Sequence, residues 1–143
     1  MSEKVQVVVF KELNEKVEVL LLQTNQSRGQ FWQNITGGKE PKDNSNHDAA
    51  KREVKEEIGF ELDQNNLFDL NKSFEYYDSN RKTHYLEHFF LAKVNTNSVT
   101  LSPEHQAYRW VDINTVKQSN YKFESSFQAF LTALDFFHQE KKI

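Results

Sequence analysis

The chain of 143 residues is long enough for one domain with its own hydrophobic core. Its net charge is −3 and its basic residues are scattered, so nothing indicates the basic track of a nucleic-acid-binding protein. It contains no cysteine, which excludes disulfides, cysteine nucleophiles and cysteine-ligated zinc sites.

Two apolar, β-branched runs open the chain. The runs VQVVVF (5–10) and VEVLLLQT (17–24) flank a polar stretch and predict neighbouring strands of a hairpin. A third extended segment is predicted at 31–36, after which Gly37 and Gly38 interrupt the pattern. The first run is too short for a signal peptide or a membrane span, so we expect a soluble, cytoplasmic protein with no membrane partner.

Helix-forming composition begins after these glycines. Ser45 is the predicted N-cap of a helix that ends at Gly59, with Asp48 as a weak capping-box partner. A second helix is predicted over 123–139, where apolar residues recur at helical spacing.

Three more strands are predicted, at 67–78, 83–94 and 107–113. Antiparallel hairpins combined with two helices indicate an α+β fold or a sandwich built around a mixed sheet. Because no linker or internal repeat interrupts the chain, we predict a single domain over 1–143.

Three glutamates lie close together on the first predicted helix. At 100° per residue, Glu53, Glu56 and Glu57 share an arc of roughly 100°. One interpretation is an ordinary solvated helix face with i,i+4 charge pairs. The other is a metal site, because converging carboxylates require a cation, and oxygen ligands favour Mg²⁺ or Mn²⁺ over zinc.

The residues around these glutamates follow a longer pattern. Reading from Gly38, the chain has five residues, Asn44, seven further residues, and then REVKEEIGF from Arg52 to Phe60. This resembles the 23-residue box of the Nudix family, Gx5Ex7REUxEExGU, in which U is an apolar residue. Every fixed position matches except the first glutamate, which is Asn44 here.

The resemblance implies the Nudix fold, an α/β/α sandwich around a mixed sheet, and hydrolysis of a nucleoside diphosphate linked to another group. It implies Glu53, Glu56 and Glu57 as ligands of Mg²⁺ or Mn²⁺, with a backbone carbonyl of the glycine turn, assigned to Gly38, as a further ligand. Arg52 would orient the glutamates through charge-assisted hydrogen bonds.

Two roles in the implied site have alternatives. The general base is either a box glutamate or a carboxylate from a later loop, where Glu104 is the candidate. In relatives the glutamate at position 44 pairs with the box arginine, so Asn44 predicts weaker support of Arg52 rather than lost activity. Asp43 or Glu40 could compensate through a local shift of the loop.

Two further runs, FWQNITGG (31–38) and EHQAYRWVD (104–112), are similar to the branch of the family that contains dATP pyrophosphohydrolases and dihydroneopterin triphosphate pyrophosphatases. The implied reaction cleaves a nucleoside or pterin triphosphate to the monophosphate and pyrophosphate. The residues expected to contact this substrate are Thr36, then Lys4 or Arg28 at the phosphates, and Trp32 stacked on a base.

Dinucleoside polyphosphates and nucleotide sugars are rival substrates. The rival class of protein is a non-catalytic Nudix-fold module that binds a nucleotide or a protein. Degenerate members usually lose box glutamates, so the three that remain here favour an enzyme. The resemblance also allows a homodimer, because dimers are common among relatives.

Overall fold

The computed structural model describes residues 1–141 and contains, over this part of the chain, a seven-stranded mixed sheet between two α-helices. Residues 142 and 143 of the predicted domain lie outside the described residues. The strands are β1 (Ser2–Leu13), β2 (Lys16–Thr24), β3 (Trp32–Gln33), β4 (Ile35–Gly38), β5 (Leu67–Asp78), β6 (Thr83–Val94) and β7 (His105–Asp112). The helices are α1 (Asn46–Ile58) and α2 (Glu124–Lys141). The predicted α+β sandwich is confirmed.

Strand β1 is the centre of the sheet and pairs with three other strands. It runs parallel to β6 along most of its length, and antiparallel to β4 in its first half and to β2 in its second half. Strand β5 extends the sheet beyond β6, and β3 and β7 both pair with β2. The β-branched run of β1 suits this position, because a strand covered on both faces can be apolar throughout.

Each face of the sheet carries its own hydrophobic core. Alternate side chains of a strand point to opposite faces, so Val5, Val7 and Val9 face α1 while Val8 and Phe10 face α2. The α1 face is completed by Ala49, Ala50, Val54 and Ile58, and the α2 face by Ala129, Phe130, Ala133 and Phe137. The box helix is thereby held against the sheet by its apolar stripe.

Several predicted boundaries agree with the structure. The hydroxyl of Ser45 accepts a hydrogen bond from the backbone N–H of Asp48 at 3.0 Å, and Gly59 ends the helix with φ of 80°. The strands predicted at 67–78 and 83–94 are β5 and β6.

The segment predicted as one strand at 31–36 is instead two short strands, β3 and β4. The buried Asn34 separates them and donates a hydrogen bond to Gln6 Oε1 at 2.8 Å, as the chain changes its partner from β2 to β1. Gly37 and Gly38 do not interrupt the pattern but belong to β4, where they pair with Val5 and Lys4.

Over residues 1–141, no helix combines the length and apolar character that crossing a membrane requires.

The packing of α2 yields a stability test. Replacing Phe130 with alanine should lower the free energy of unfolding by about 3–5 kcal/mol, because its buried ring packs edge-on against Phe10 and leaves a cavity when removed. The matched control is Leu131→Ala at the next position, where the side chain is 40% exposed and the expected loss is about 0.5 kcal/mol or less. Urea unfolding followed by circular dichroism measures both variants, and equal losses would contradict this orientation of α2.

Candidate active site

Gly37 and Gly38 at the end of β4 are called the glycine turn below. A cleft of about 1430 Å³ opens where they meet the first residues of β1 and the glutamates of α1. It collects most of the residues that the sequence singles out. These are Lys4, Arg28, Thr36, Gly38, Glu53, Glu56, Glu57 and Glu104.

Among the described residues, two predicted site residues do not line the cleft: Arg52, which contacts the box glutamates, and Trp32. Trp32 instead packs against the core under α2. The guanidinium carbon of Arg109 lies 4.6 Å from the centroid of the Trp32 ring. The preceding residue, Phe31, lines the cleft and packs edge-on against Phe123. Adjacent residues of an extended segment point to opposite sides, so the position of Trp32 does not support the stacking role predicted for it.

Arg52 donates hydrogen bonds to the loop before α1, to the glycine turn and to two of the box glutamates. Its Nε and Nη2 donate to the two carboxylate oxygens of Asp43 at 3.1 and 2.8 Å. Nη2 also donates to the carbonyl of Gly38 at 2.9 Å. Nη1 donates to Glu53 Oε1 at 2.7 Å and to Glu56 Oε1 at 2.9 Å. These contacts employ all five N–H groups that an arginine possesses.

Asp43 therefore supplies the carboxylate that the box lacks at position 44. Its side chain is only 4% exposed, and both of its oxygens accept hydrogen bonds from the Arg52 guanidinium, whereas Asn44 is exposed. The hydrogen bond from Arg52 lowers the pKa of Asp43, and the carboxylate partners raise the pKa of Arg52, so both groups stay charged. The weakened support expected from Asn44 is thus offset by its neighbour.

Glu53 is buried directly under the glycine turn. A Cβ at Gly37 would overlap the Glu53 carboxyl group, so only glycine lets the strand pass this close to the helix. Burial raises the pKa of Glu53 to about 7, although the hydrogen bond and charge of Arg52 act in the opposite direction. Desolvation of this carboxylate therefore outweighs its stabilisation by Arg52.

Glu57, also buried, is held by the loop that precedes β7. The hydroxyl of Ser102 donates to its Oε2 at 3.0 Å, and His105 Nδ1 lies 2.8 Å from the same oxygen. Gln33 Nε2 donates to His105 Nε2 at 3.1 Å, which leaves the ring proton on Nδ1, facing Glu57. Burial alone would raise the pKa of Glu57, but His105, Glu104 and Ser102 outweigh it and hold the pKa at about 2.

Ser102, His105 and Gln33 were not among the site residues predicted from the sequence. The run that contains Glu104 also contains His105, but a single histidine beside a carboxylate gives no indication of a partner 48 positions away. Only the pairing of β7 with β2 brings this histidine to the box helix.

Glu104 lies at the mouth of the cleft, with half of its side chain exposed, and forms an ion pair with Arg28. Its hydrogen-bonding contact with Glu57 raises the pKa of Glu104, burial adds to this effect, and the charge of Arg28 opposes it. Two carboxyl groups that share a hydrogen bond favour one shared proton over two charges.

The donor set suits a hard divalent cation. The side chains of Glu53, Glu56, Glu57 and Glu104 and the carbonyl of Gly38 offer only oxygen, which favours Mg²⁺ or Mn²⁺. Burial raises the pKa of Glu53 despite the hydrogen bond from Arg52, and a bound cation would offset this effect by favouring the charged carboxylate. Within residues 1–141, no group of three acidic or histidine side chains is already arranged to hold a metal ion; Glu53 and Glu56 contact Arg52, and Glu57 contacts Ser102.

The glycine turn yields a test with a built-in control. Gly37→Ala should weaken Mn²⁺ binding at least about tenfold, because its methyl group would push the Glu53 carboxylate out of place. Gly38→Ala should change the affinity little, because its Cβ would meet no atom within 4 Å and its carbonyl is retained. Electron paramagnetic resonance of free Mn²⁺ measures both affinities, and equal effects would contradict the close approach at Gly37.

The Asp43 contact yields a second test. Asp43→Asn should lower Mn²⁺ affinity by about 10–100-fold, the usual cost of losing a residue that orients a ligand. Asn44→Glu should leave the affinity within about twofold, because Arg52 has no free N–H to offer a new carboxylate. A marked gain in affinity for Asn44→Glu would show that Asp43 does not replace the missing glutamate.

Comparison with known proteins bears on the family. The model of the NUDIX domain matches residues 3–131. Dihydroneopterin triphosphate diphosphatase of Haemophilus influenzae is 34% identical over 121 residues, covering 77% of this chain and 73% of that protein. The asymmetrical bis(5'-nucleosyl)-tetraphosphatase of Caenorhabditis elegans is 30% identical over 130 residues, covering 87% of this chain and 92% of that protein.

A solved structure supports the same assignment. The dihydroneopterin triphosphate pyrophosphohydrolase of E. coli superposes with a TM-score of 0.75 at 27% identity, covering 90% of this chain and 91% of that chain. The family and fold implied by the box are confirmed: the chain belongs to the Nudix family of hydrolases.

Proposed function

We propose that this Nudix hydrolase cleaves a nucleoside or pterin triphosphate to the monophosphate and pyrophosphate, with Mg²⁺ or Mn²⁺ as its cofactor. The observation that carries the proposal is that one cleft brings three kinds of side chain together. It contains the box glutamates, two cationic side chains, Lys4 and Arg28, and a wall formed by the stacked rings of Tyr76 and Tyr85. A substrate with an anionic chain and a flat ring matches these three features.

The dimensions of the cleft agree with such a substrate. Gly38, Lys4 and Glu87 are partners in register across the neighbouring strands β4, β1 and β6. Adjacent strands are about 4.8 Å apart, so the glycine turn and Glu87 are separated by about 10 Å. A phosphate chain and its sugar would span this distance, with the phosphates near the glutamates and the ring near the tyrosines.

The phosphate end would hold the cofactor. Glu53, Glu56 and Glu57, with the Gly38 carbonyl, would bind Mg²⁺ or Mn²⁺. When bound, such ions neutralise phosphate charge and lower the pKa of an attacking water. Arg52 keeps Glu53 and Glu56 oriented toward this point, and Lys4 and Arg28 would bind phosphate oxygens from the cleft walls.

The protein also offers a group to receive the proton of the attacking water. Water attacks phosphorus, the α–β anhydride bond breaks, and the pyrophosphate leaves with the bond electrons. We assign the role of general base, which accepts the proton of the attacking water, to Glu104, a residue of the cleft lining next to Glu57. Glu53 and Glu56 are the alternative bases within the box.

The substrate class is supported by the relatives. The proteins from Haemophilus influenzae and E. coli are named for dihydroneopterin triphosphate, and the C. elegans protein for a dinucleoside tetraphosphate. The last name supports a second candidate, hydrolysis of dinucleoside polyphosphates, for which the cleft is also large enough. The cytoplasmic location and the homodimer stay predictions from the sequence.

Product analysis separates the candidates. The protein would be incubated with Mg²⁺ and, separately, dihydroneopterin triphosphate, dATP, GTP, diadenosine tetraphosphate and a nucleotide sugar, and the products separated by anion exchange. We expect pyrophosphate and a monophosphate from at least one triphosphate. If only the tetraphosphate is cleaved, the second candidate replaces the first, and no cleavage of any substrate would favour the non-catalytic module.

The role of Glu57 is tested by a neutral substitution. Glu57→Gln should lower kcat at least about a hundredfold, because it removes one charged ligand while the amide oxygen can still accept from Ser102. The control is Glu61→Gln, just past the helix, where the carboxylate is exposed and pairs with the exposed Lys55. Steady-state kinetics with saturating Mg²⁺ measures both, and thermal unfolding confirms that both variants fold. Activity retained in Glu57→Gln would contradict this assignment of the site.

A further inference from the structure

A buried carboxylate lies at the ring end of the cleft and has no part in the chemistry proposed above. Glu87, on β6, is 2% exposed and contributes to the cleft wall next to Tyr76 and Tyr85. None of the ion pairs found within residues 1–141 involves it. Lys4, the cation across the strand, instead donates to the hydroxyl of Tyr76 at 3.3 Å and lies over the ring of Tyr85.

A chain of buried hydrogen bonds ends at this carboxylate. The hydroxyl of Tyr121 donates to Asn34 Oδ1 at 3.3 Å, and Asn34 Nδ2 donates to Gln6 Oε1 at 2.8 Å. Gln6 Nε2 then donates to Glu87 Oε1 at 2.8 Å. Every donor in the chain points toward Glu87, which is its terminal acceptor.

The direction of this chain is determined by one backbone group. Asn34 Nδ2 also donates to the carbonyl of Ser126 at 3.1 Å, and a carbonyl can only accept. The amide nitrogen of Asn34 must therefore face Gln6 Oε1, which turns the nitrogen of Gln6 toward Glu87. Gln6 occupies one acceptor site of Oε1 and the Ser125 hydroxyl occupies another site of the carboxylate, so about half of its four acceptor sites remain for a ligand in the cleft.

Burial of a carboxylate without a cationic partner is unfavourable unless donors satisfy it. Burial raises the pKa of Glu87, against the opposing effects of Lys4, Gln6 and Ser125. Two N–H groups from a ligand would relieve this cost by hydrogen bonding to the charged form.

We propose that Glu87 selects the ring of the substrate, by accepting hydrogen bonds from the adjacent ring N–H and exocyclic amino group of a 2-amino-4-oxopyrimidine edge. Guanine and pterins share this edge. Adenine presents one amino donor and one ring acceptor at the corresponding edge, so a carboxylate would pair with the first and repel the second. The inference rests on the proposed function, since it names the residue that would contact the ring of the substrate in the same cleft.

The test measures binding of three nucleoside monophosphates and of free neopterin, so it does not depend on turnover. Isothermal titration calorimetry with Mg²⁺ present would measure Kd for GMP, IMP, AMP and neopterin. The wild-type protein should bind GMP or neopterin at least about tenfold more tightly than AMP. IMP, which lacks the exocyclic amino group, should bind more weakly than GMP. The comparison of GMP with neopterin shows whether the site takes guanine or a pterin.

Glu87→Gln should abolish this preference. Gln6 still donates toward the side chain at position 87, so the new amide must turn its oxygen to Gln6 and its nitrogen to the cleft. A donor there matches the ring acceptor of adenine and opposes the guanine edge, so the ratio of GMP to AMP affinity should fall about tenfold or more. The matched control is Glu75→Gln on β5, an exposed carboxylate outside the cleft lining, which should leave the ratio unchanged.

The outcomes separate this inference from the proposed function. Equal binding of GMP, neopterin and AMP by the wild-type protein, or an unchanged ratio in Glu87→Gln, would overturn the role of Glu87 even if triphosphates are hydrolysed. The expected preference without hydrolysis would support Glu87 and reject the reaction. If Glu87→Gln fails to fold, Glu87→Asp replaces it, and the shorter carboxylate should weaken GMP binding more than AMP binding. Equal weakening of both would show a structural role only.

Discussion

The guanidinium of Arg52 connects three parts of the chain whose relative position defines the site. Its five N–H groups reach the loop at Asp43, the carbonyl of Gly38 and the carboxylates of Glu53 and Glu56. Without this cation, four oxygen-bearing groups of like charge or dipole would repel one another at the helix surface. Because every donor is used, the helix, the glycine turn and the loop are oriented together rather than independently.

The register of β1 determines how the two ends of the cleft are related. Its first half pairs with β4 on one side and β6 on the other, so the glycine turn and Glu87 face each other across a single strand. The α1 face of the sheet carries the box glutamates, and the α2 face carries Gln6, Glu87 and the two tyrosines, Tyr76 and Tyr85. A ligand that lies across the end of β1 would therefore contact both faces, with its charge at one and its ring at the other.

The elements predicted best from the sequence depend on short-range rules. The Ser45 cap, the Gly59 stop and the strands 67–78 and 83–94 follow from local composition and periodicity, and all agree with the structure. The segment 31–36 does not, because its central residue, Asn34, is extended yet changes partners from β2 to β1. Alternation along the segment 31–33 places Phe31 and Gln33, but not Trp32, in the cleft, and which of the two sides is the cleft side follows from the pairing of β3 with β2.

The sequence by itself determined the family and the clustering of the box glutamates on one helix face, and from these it predicted a metal site with oxygen ligands, since all three depend on residue identity and helical spacing. Only the tertiary structure decided which partners those residues have. Asp43 takes the place of the missing glutamate, His105 reaches Glu57, and Gln6 contacts Glu87, 81 positions away in the chain. The physical reason is that hydrogen bonds depend on distances of about 3 Å, and the pairing of remote strands sets these distances.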